Sequence, residues 1–187
     1  MKSILLLTAA ASLIATAAFA GETVNVGPFR SVELRGGGQV VVHHGDAQRV
    51  TLVAGSTQYT SFTIEDGQTL VIDACDHSCP NGNYDLRIDI ATPDIKGVAV
   101  DGGGDIRGAS DLSAQRLGTA VNGGGNIDMR DVHADTVNAA VNGGGKIKVY
   151  AASNLHAAVS GGGLIQYWGN PHVSSAVSGG GDVRQGS

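Results

Sequence analysis

One short phrase is written five times between Ala99 and Gly181: Ala-Val, then Asp, Asn or Ser, then three glycines. The copies begin at Ala99, Ala120, Ala140, Ala158 and Ala176, and their triplets at Gly102, Gly123, Gly143, Gly161 and Gly179. Successive triplets lie 21, 20, 18 and 18 residues apart. A period near twenty, kept while the sequence between drifts, is the mark of a solenoid. Before four of the triplets stand Leu117-x-Thr119-x-Val121, Val137-x-Ala139-x-Val141, Leu155-x-Ala157-x-Val159 and Val173-x-Ser175-x-Val177. After all five, Ile106, Ile127, Ile147, Ile165 and Val183 fall at one place, with Met129, Val149 and Tyr167 two residues on. Each period therefore reads as two short strands bent at Gly-Gly-Gly, followed by a polar return such as Asp131 to Asp135.

One such period cannot bury its apolar face alone. Stacking copies in parallel puts Val on Val and Ile on Ile, about 4.8 Å apart. The expected fold is all-β: a right-handed parallel β-helix, or solenoid, with rungs of about 20 residues. Asp101, Asn122, Asn142, Ser160 and Ser178 should stack as a polar ladder beside the glycine corner. The rival is a set of antiparallel hairpins with the triplets as loops, which does not need like residues at like positions.

Upstream, the pattern is also strand-like: Val24-x-Val26, Val32-x-Leu34, Val40 to Val42, Val50-x-Leu52, Leu70-x-Ile72 and Leu86-x-Ile88-x-Ile90. Asp66-Gly67, between Phe62-x-Ile64 and Leu70-x-Ile72, predicts a hairpin. Residues 1–20 read as an export leader: Lys2, a mostly apolar run, then Ala18-Phe19-Ala20 with cleavage expected after Ala20. No Cys follows that run, which argues against a lipoprotein anchor. The remaining 21–187 should form one domain, with strands and a Cys loop over 21–95 and the Gly-triplet repeats over 96–187. The expected location is periplasm, cell surface or medium, and no segment after the leader is apolar enough to span a bilayer.

Cys75 and Cys79 are the only cysteines. In an exported chain a disulfide is expected. The sharper alternative is a metal site using Cys75, His77 and Cys79 with Asp73 or Asp76. The net charge of −5 leaves no basic footprint for nucleic acid. No cofactor or resident metal is called for. Calcium binding at Gly123 to Asp128 fails on period, and its Asp128 is replaced by Lys148 and Gln166 in later rungs. His43 and His44 should point to opposite faces, which spoils a joint site. Ser160 and Ser178 lack the surroundings of a nucleophile elbow.

The opening residues Phe29-Arg30-Ser31-Val32-Glu33-Leu34, then Val40-Val41-Val42 and Asp66 to Ile72, resemble a bacterial family called putative autotransporter adhesin, head GIN domain. Thr92-Pro93-Asp94-Ile95 leading into Asp101-Gly102-Gly103-Gly104-Asp105-Ile106 resembles that family's entry into Gly-rich repeats. The resemblance runs from about Phe29 to Val183 and implies an exported, β-helix-like domain. The uniform Gly triplet departs from the family, where a small polar residue is expected among the glycines. No catalytic residue carries over.

Three residues beyond each post-triplet Ile, the repeats align Arg130, Tyr150 and Trp168 on adjacent rungs, with Lys146, Lys148, Leu164 and Gln166 beside them. A ligand-binding face built of Arg130, Tyr150, Trp168, Lys148 and Gln166 suits a glycan or envelope polymer: flat rings for sugar faces, amide and ammonium groups for hydroxyls. The bland alternative is that the rings pack on one another, with Arg130 over an aromatic ring. The function expected is a non-enzymatic binding or adhesion-type module. The alternatives are a β-helix enzyme acting on polysaccharide and a self-assembling envelope protein. The final rung has no cap in the sequence, so either a second copy or residues folded back from the N-terminal region should cover it.

Overall fold

A computed structural model describes residues 21–75, 79, 84–109 and 111–187. The leader with Ala20 and the candidate ligands Asp76 and His77 lie outside the described residues. Among those described there is no helix, and none therefore long and apolar enough to cross a membrane. The chain forms a β-solenoid with rungs of roughly 20 residues.

The repeat region stacks as the sequence predicts. Strands β8 (Gly97–Gly102), β10 (Ser113–Gly123), β11 (Asn126–Gly143) and β12 (Lys146–Gly161) pair in parallel, with Val100, Val121, Val141 and Val159 in one register column. Strand β14 (His172–Ser178) continues it with Val177. After the corner, β9 (Asp105–Gly108), β11, β12, β13 (Leu164–Trp168) and β15 (Asp182–Gln185) align Ile106, Ile127, Ile147, Ile165 and Val183. The glycine corners lie one above another: the Gly124, Gly144 and Gly162 N–H groups each donate to the first glycine of the preceding rung at 2.9 Å. The polar ladder Asp101–Asn122–Asn142–Ser160–Ser178 is in register throughout. Hairpins with glycine loops are excluded for this region.

The returns differ from expectation. β11 and β12 run unbroken from one triplet to the next, so the return segments pair as strands rather than hanging as polar loops. Val132, Ala134 and Ala151 are buried there and supply the apolar side that makes pairing worthwhile.

Rung order departs from chain order at the N-terminal end. Strands β2 (Ser31–Gly36) and β3 (Gln39–His44), joined through a further triplet, Gly36-Gly37-Gly38, stack directly on β8 and β9. The chain then drops below this rung. Strands β6 (Thr69–Asp73) and β7 (Arg87–Thr92) form the rung beneath, in parallel with β2 and β3. Its corner, between Ala74 and Leu86, carries the Cys75–Cys79 disulfide in place of three glycines. Below that, β5 (Ser61–Glu65) and β4 (Arg49–Ala54) pair antiparallel with β6 and β7, and β1 (Glu22–Val24) adds to β4. The β5–β6 connection is the expected hairpin, with Asp66 at φ 51° and Gly67 at φ 68°, as a type I′ turn requires. Arg35 fixes this cap: its guanidinium forks onto Glu65 with two bonds of 3.0 Å and reaches Glu33 at 2.7 Å.

The N-terminal strands thus cover the far end of the stack. They do not fold back over the last rung, which corrects one of the two caps expected from sequence. Among the described residues β14 and β15 pair on one side only. Val177 is 46% exposed, whereas Val159, one rung inward, is 2% exposed.

Candidate functional site

The post-triplet strands place their outward residues in two columns. Asp105, Asn126, Lys146, Leu164 and Asp182 form one; Arg107, Asp128, Lys148, Gln166 and Arg184 form the other. Their inward neighbours Ile127, Ile147 and Ile165 are buried, which anchors every outward side chain on a rigid strand. Asp105, Arg107, Asn126, Asp128, Lys146 and Lys148 of these columns, with Gln39 and Val41 on the next rung, line a shallow depression of about 380 Å³.

The polar groups there are partly committed to one another. Asn126 Nδ2 donates to Asp105 Oδ1 at 2.8 Å. Asp128, half-buried, accepts from Arg130 Nη2 at 3.1 Å and from Lys148 Nζ at 3.5 Å. Arg107 and Lys146 make no ion pair among the described residues. The face therefore offers free cationic donors beside satisfied amides and carboxylates, an arrangement that can accept hydroxyl or anionic oxygen.

The aromatic edge is not laid out quite as the sequence alignment has it. Tyr150 and Trp168 are in register on adjacent rungs. Arg130 is not in register with Tyr150; its place is taken by His133, whose ring lies 4.8 Å from the Tyr150 ring at a tilt of 47°. The register slips between Met129 and His133, where the offset between paired residues falls from 20 to 17, and again between Ala134 and Thr136, where it becomes 18; Arg130 falls in the first slipped segment. Its side chain still reaches the edge, with Cζ 5.6 Å from the centroid of Trp168. Trp168 also lies against the backbone of Gly186, where any Cβ would collide with the indole. So Arg130 and Trp168 form one unit, His133 and Tyr150 another, and Lys148 and Gln166 stand side by side next to them. His133 is the member that triplet-based counting misses.

His43 and His44 do not form a joint site. His43 Nε2 bonds Asp89 Oδ1 at 2.9 Å and Nδ1 meets the His44 carbonyl at 3.0 Å. The Asp89 bond, against an opposing burial effect, holds the His43 pKa above its ordinary value. His44, which alternation assigns to the interior, is exposed because the strand ends there. Cys75 and Cys79 are joined as a disulfide, so the Cys-based metal reading does not hold.

A family model for the putative auto-transporter adhesin, head GIN domain, matches residues 28–121 and 113–171. The chain belongs to this family. Solved structures similar to this GIN domain include an adhesin from Bacteroides fragilis, named as putative, at 19% identity and a TM-score of 0.55, covering 89% of this chain and 96% of the other. A similarly named adhesin from Parabacteroides merdae matches at 16% identity and a TM-score of 0.39, over 90% and 96% of the two chains. A protein named as a putative lipid binding protein, from Parabacteroides distasonis, matches at 18% identity and 0.36, over 90% and 96%. No curated protein matches the chain. The first of these shares the solenoid fold; at such identity the likeness extends no further.

Proposed function

We propose that this GIN domain is an exported, non-enzymatic binding module of the cell envelope, whose post-triplet face takes a glycan through Arg130, Tyr150, Trp168, Lys148 and Gln166. The observation that carries the reading is the pair of outward columns, with donors and acceptors repeated at rung spacing beside an aromatic edge. Hydroxyl groups of a sugar would bond to Lys148 and Gln166, and an apolar sugar face would lie along Tyr150 and the Arg130–Trp168 pair. The adhesin names of its relatives agree with binding rather than turnover.

A glycan array tests the reading. Binding by the protein, lost in Trp168→Ala and weakened in Lys148→Ala with the β-sheet circular dichroism preserved, supports it. Binding unchanged in both variants removes it. We also propose that a second copy covers the open edge of β14 and β15, where Val177 is exposed. Light scattering behind size exclusion should then show a dimer or larger; a monomer across a wide concentration range refutes that part.

A further inference from the structure

A groove of about 1030 Å³ meets the aromatic edge at His133 and includes none of Arg130, Tyr150, Trp168, Lys148 or Gln166 in its lining. Its origin is a step in the stack. β10 begins at Ser113, but its partner β8 begins only opposite Gly118. Residues 113–117 of β10 pair with β11 on one side and with no strand on the other.

Three cations line the groove on successive rungs: Arg30, Lys96 and Arg116. The backbone aligns Arg30 with Lys96 and sets Arg116 one residue before the position opposite Lys96. The Lys96 N–H donates to the Arg30 carbonyl at 2.7 Å, and the Gly118 N–H, two residues past Arg116, to the Lys96 carbonyl at 2.8 Å. All three side chains are exposed, and none makes an ion pair among the described residues. Like charges a rung apart repel, and each stands without a counter-charge in contact, although the whole chain is acidic at −5. The groove is also lined by Asp94, Gln115, His133, Asp135 and Asn138, with Ala114 and Gly118.

We infer that this groove is a second binding site, distinct from the Tyr150–Trp168 edge, and that its ligand is an acidic glycan chain lying along the stack. The cation ladder takes the anionic groups, one per rung. Asp94 and Asp135 take hydroxyl donors, which a polyanion without hydroxyls, such as single-stranded DNA, does not offer there and would be repelled from. The unpaired edge of residues 113–117 adds backbone donors and acceptors. The anionic group of the glycan can be a uronate carboxylate or a phosphate, and the two share this chemistry.

The test is affinity electrophoresis and calorimetry of the protein against polygalacturonate, a polyglycerol phosphate, neutral dextran and oligodeoxythymidine. The expected result is binding to polygalacturonate or to polyglycerol phosphate, whichever source is correct, falling as salt rises. Dextran and oligodeoxythymidine should bind at least about tenfold more weakly, a gap of about 1.4 kcal/mol. The triple variant Arg30→Gln, Lys96→Gln, Arg116→Gln should lose at least about tenfold in affinity while keeping its thermal midpoint, because all three residues lie outside the core. Trp168→Ala should retain this binding, which separates the site from the one proposed above. Failure of both acidic polymers to bind, equal binding of DNA, unchanged affinity in the triple variant, or loss in Trp168→Ala instead would each overturn the assignment.

Discussion

The three glycines of a corner do different work, and single alanine substitutions should separate them. Gly143, first of its triplet, has φ +121°. A Cβ there would stand 2.6 Å from the Gly123 oxygen and 3.2 Å from that residue's Cα and carbonyl carbon. The obstacle is backbone of the preceding rung, whose carbonyl also accepts the Gly144 N–H at 2.9 Å, so it cannot swing aside. Gly144, in the middle, would place a Cβ in open space with nothing within 4 Å. For Gly143→Ala the unfavourable φ costs about 1–3 kcal/mol. The forced displacement of backbone adds about 1–3 kcal/mol. The stiffer unfolded chain returns about 0.4–1 kcal/mol. The net is a loss centred near 3 kcal/mol, or roughly 6–12 °C in thermal midpoint at the usual 2–4 °C per kcal/mol for a chain of this size. Gly144→Ala has only the unfolded-state effect and should be neutral or stabilising by up to about 1 kcal/mol. Thermal and urea melts followed by circular dichroism read both. Equal midpoints for the two variants, or a larger loss at Gly144, would refute the stacked-corner account.

Two further outcomes follow from burial and from charge. Val159→Ala removes two buried carbons and should cost about 2 kcal/mol, whereas Val177→Ala, at the same stack position on the open rung, should cost under half of that in the monomer; equal losses in urea melts would mean the last rung is covered. The Asp89 bond raises the His43 pKa above 6.5 in the folded protein, so its stabilising effect is complete below about pH 6.5 and fades as pH rises through the folded value. Urea midpoints should therefore fall over that interval in the parent relative to His43→Ala, and a parent-minus-variant difference that stays flat or grows with pH would contradict the pairing.

The solenoid was legible because stacking demands that like residues recur at like positions, and the interior Val and Ile columns do so without a break. Two things hid the rest. The rung of β6 and β7 has no glycine corner; the disulfide loop replaces it, and with it goes the one mark that would have shown a rung. Chain order also conceals that β2 and β3 stack on β8 and β9, although Val32-x-Leu34-x-Gly36 matches Val98-x-Val100-x-Gly102 residue for residue. At the aromatic edge, counting forward from the triplet puts Arg130 beside Tyr150. The structure takes up the unequal periods between Met129 and His133 and again between Ala134 and Thr136. A period alone cannot say where slack is absorbed, so His133 was invisible. The Arg30–Lys96–Arg116 group was hidden for a related reason: Arg30 and Lys96 precede strands, Arg116 lies inside one, and none belongs to the repeated phrase.

The contrast between inward and outward columns bears on where binding can reside. Inward positions repeat because each side chain packs on its own kind in the neighbouring rung. That constraint does not reach outward residues, yet one outward column is uniform, Ala99, Ala120, Ala140, Ala158 and Ala176, while others change charge at every step, as Arg107, Asp128, Lys148 and Gln166 do. A uniform column presents the same group at each rung and cannot distinguish positions along the stack. A column that changes from rung to rung can, because each rung then offers a different partner at a fixed height. The Lys148–Gln166 face is of this second kind, whereas the Arg30–Lys96–Arg116 groove repeats one charge on each rung. Their side chains can be exchanged without touching the Val and Ile columns, so binding and folding should respond to separate sets of substitutions.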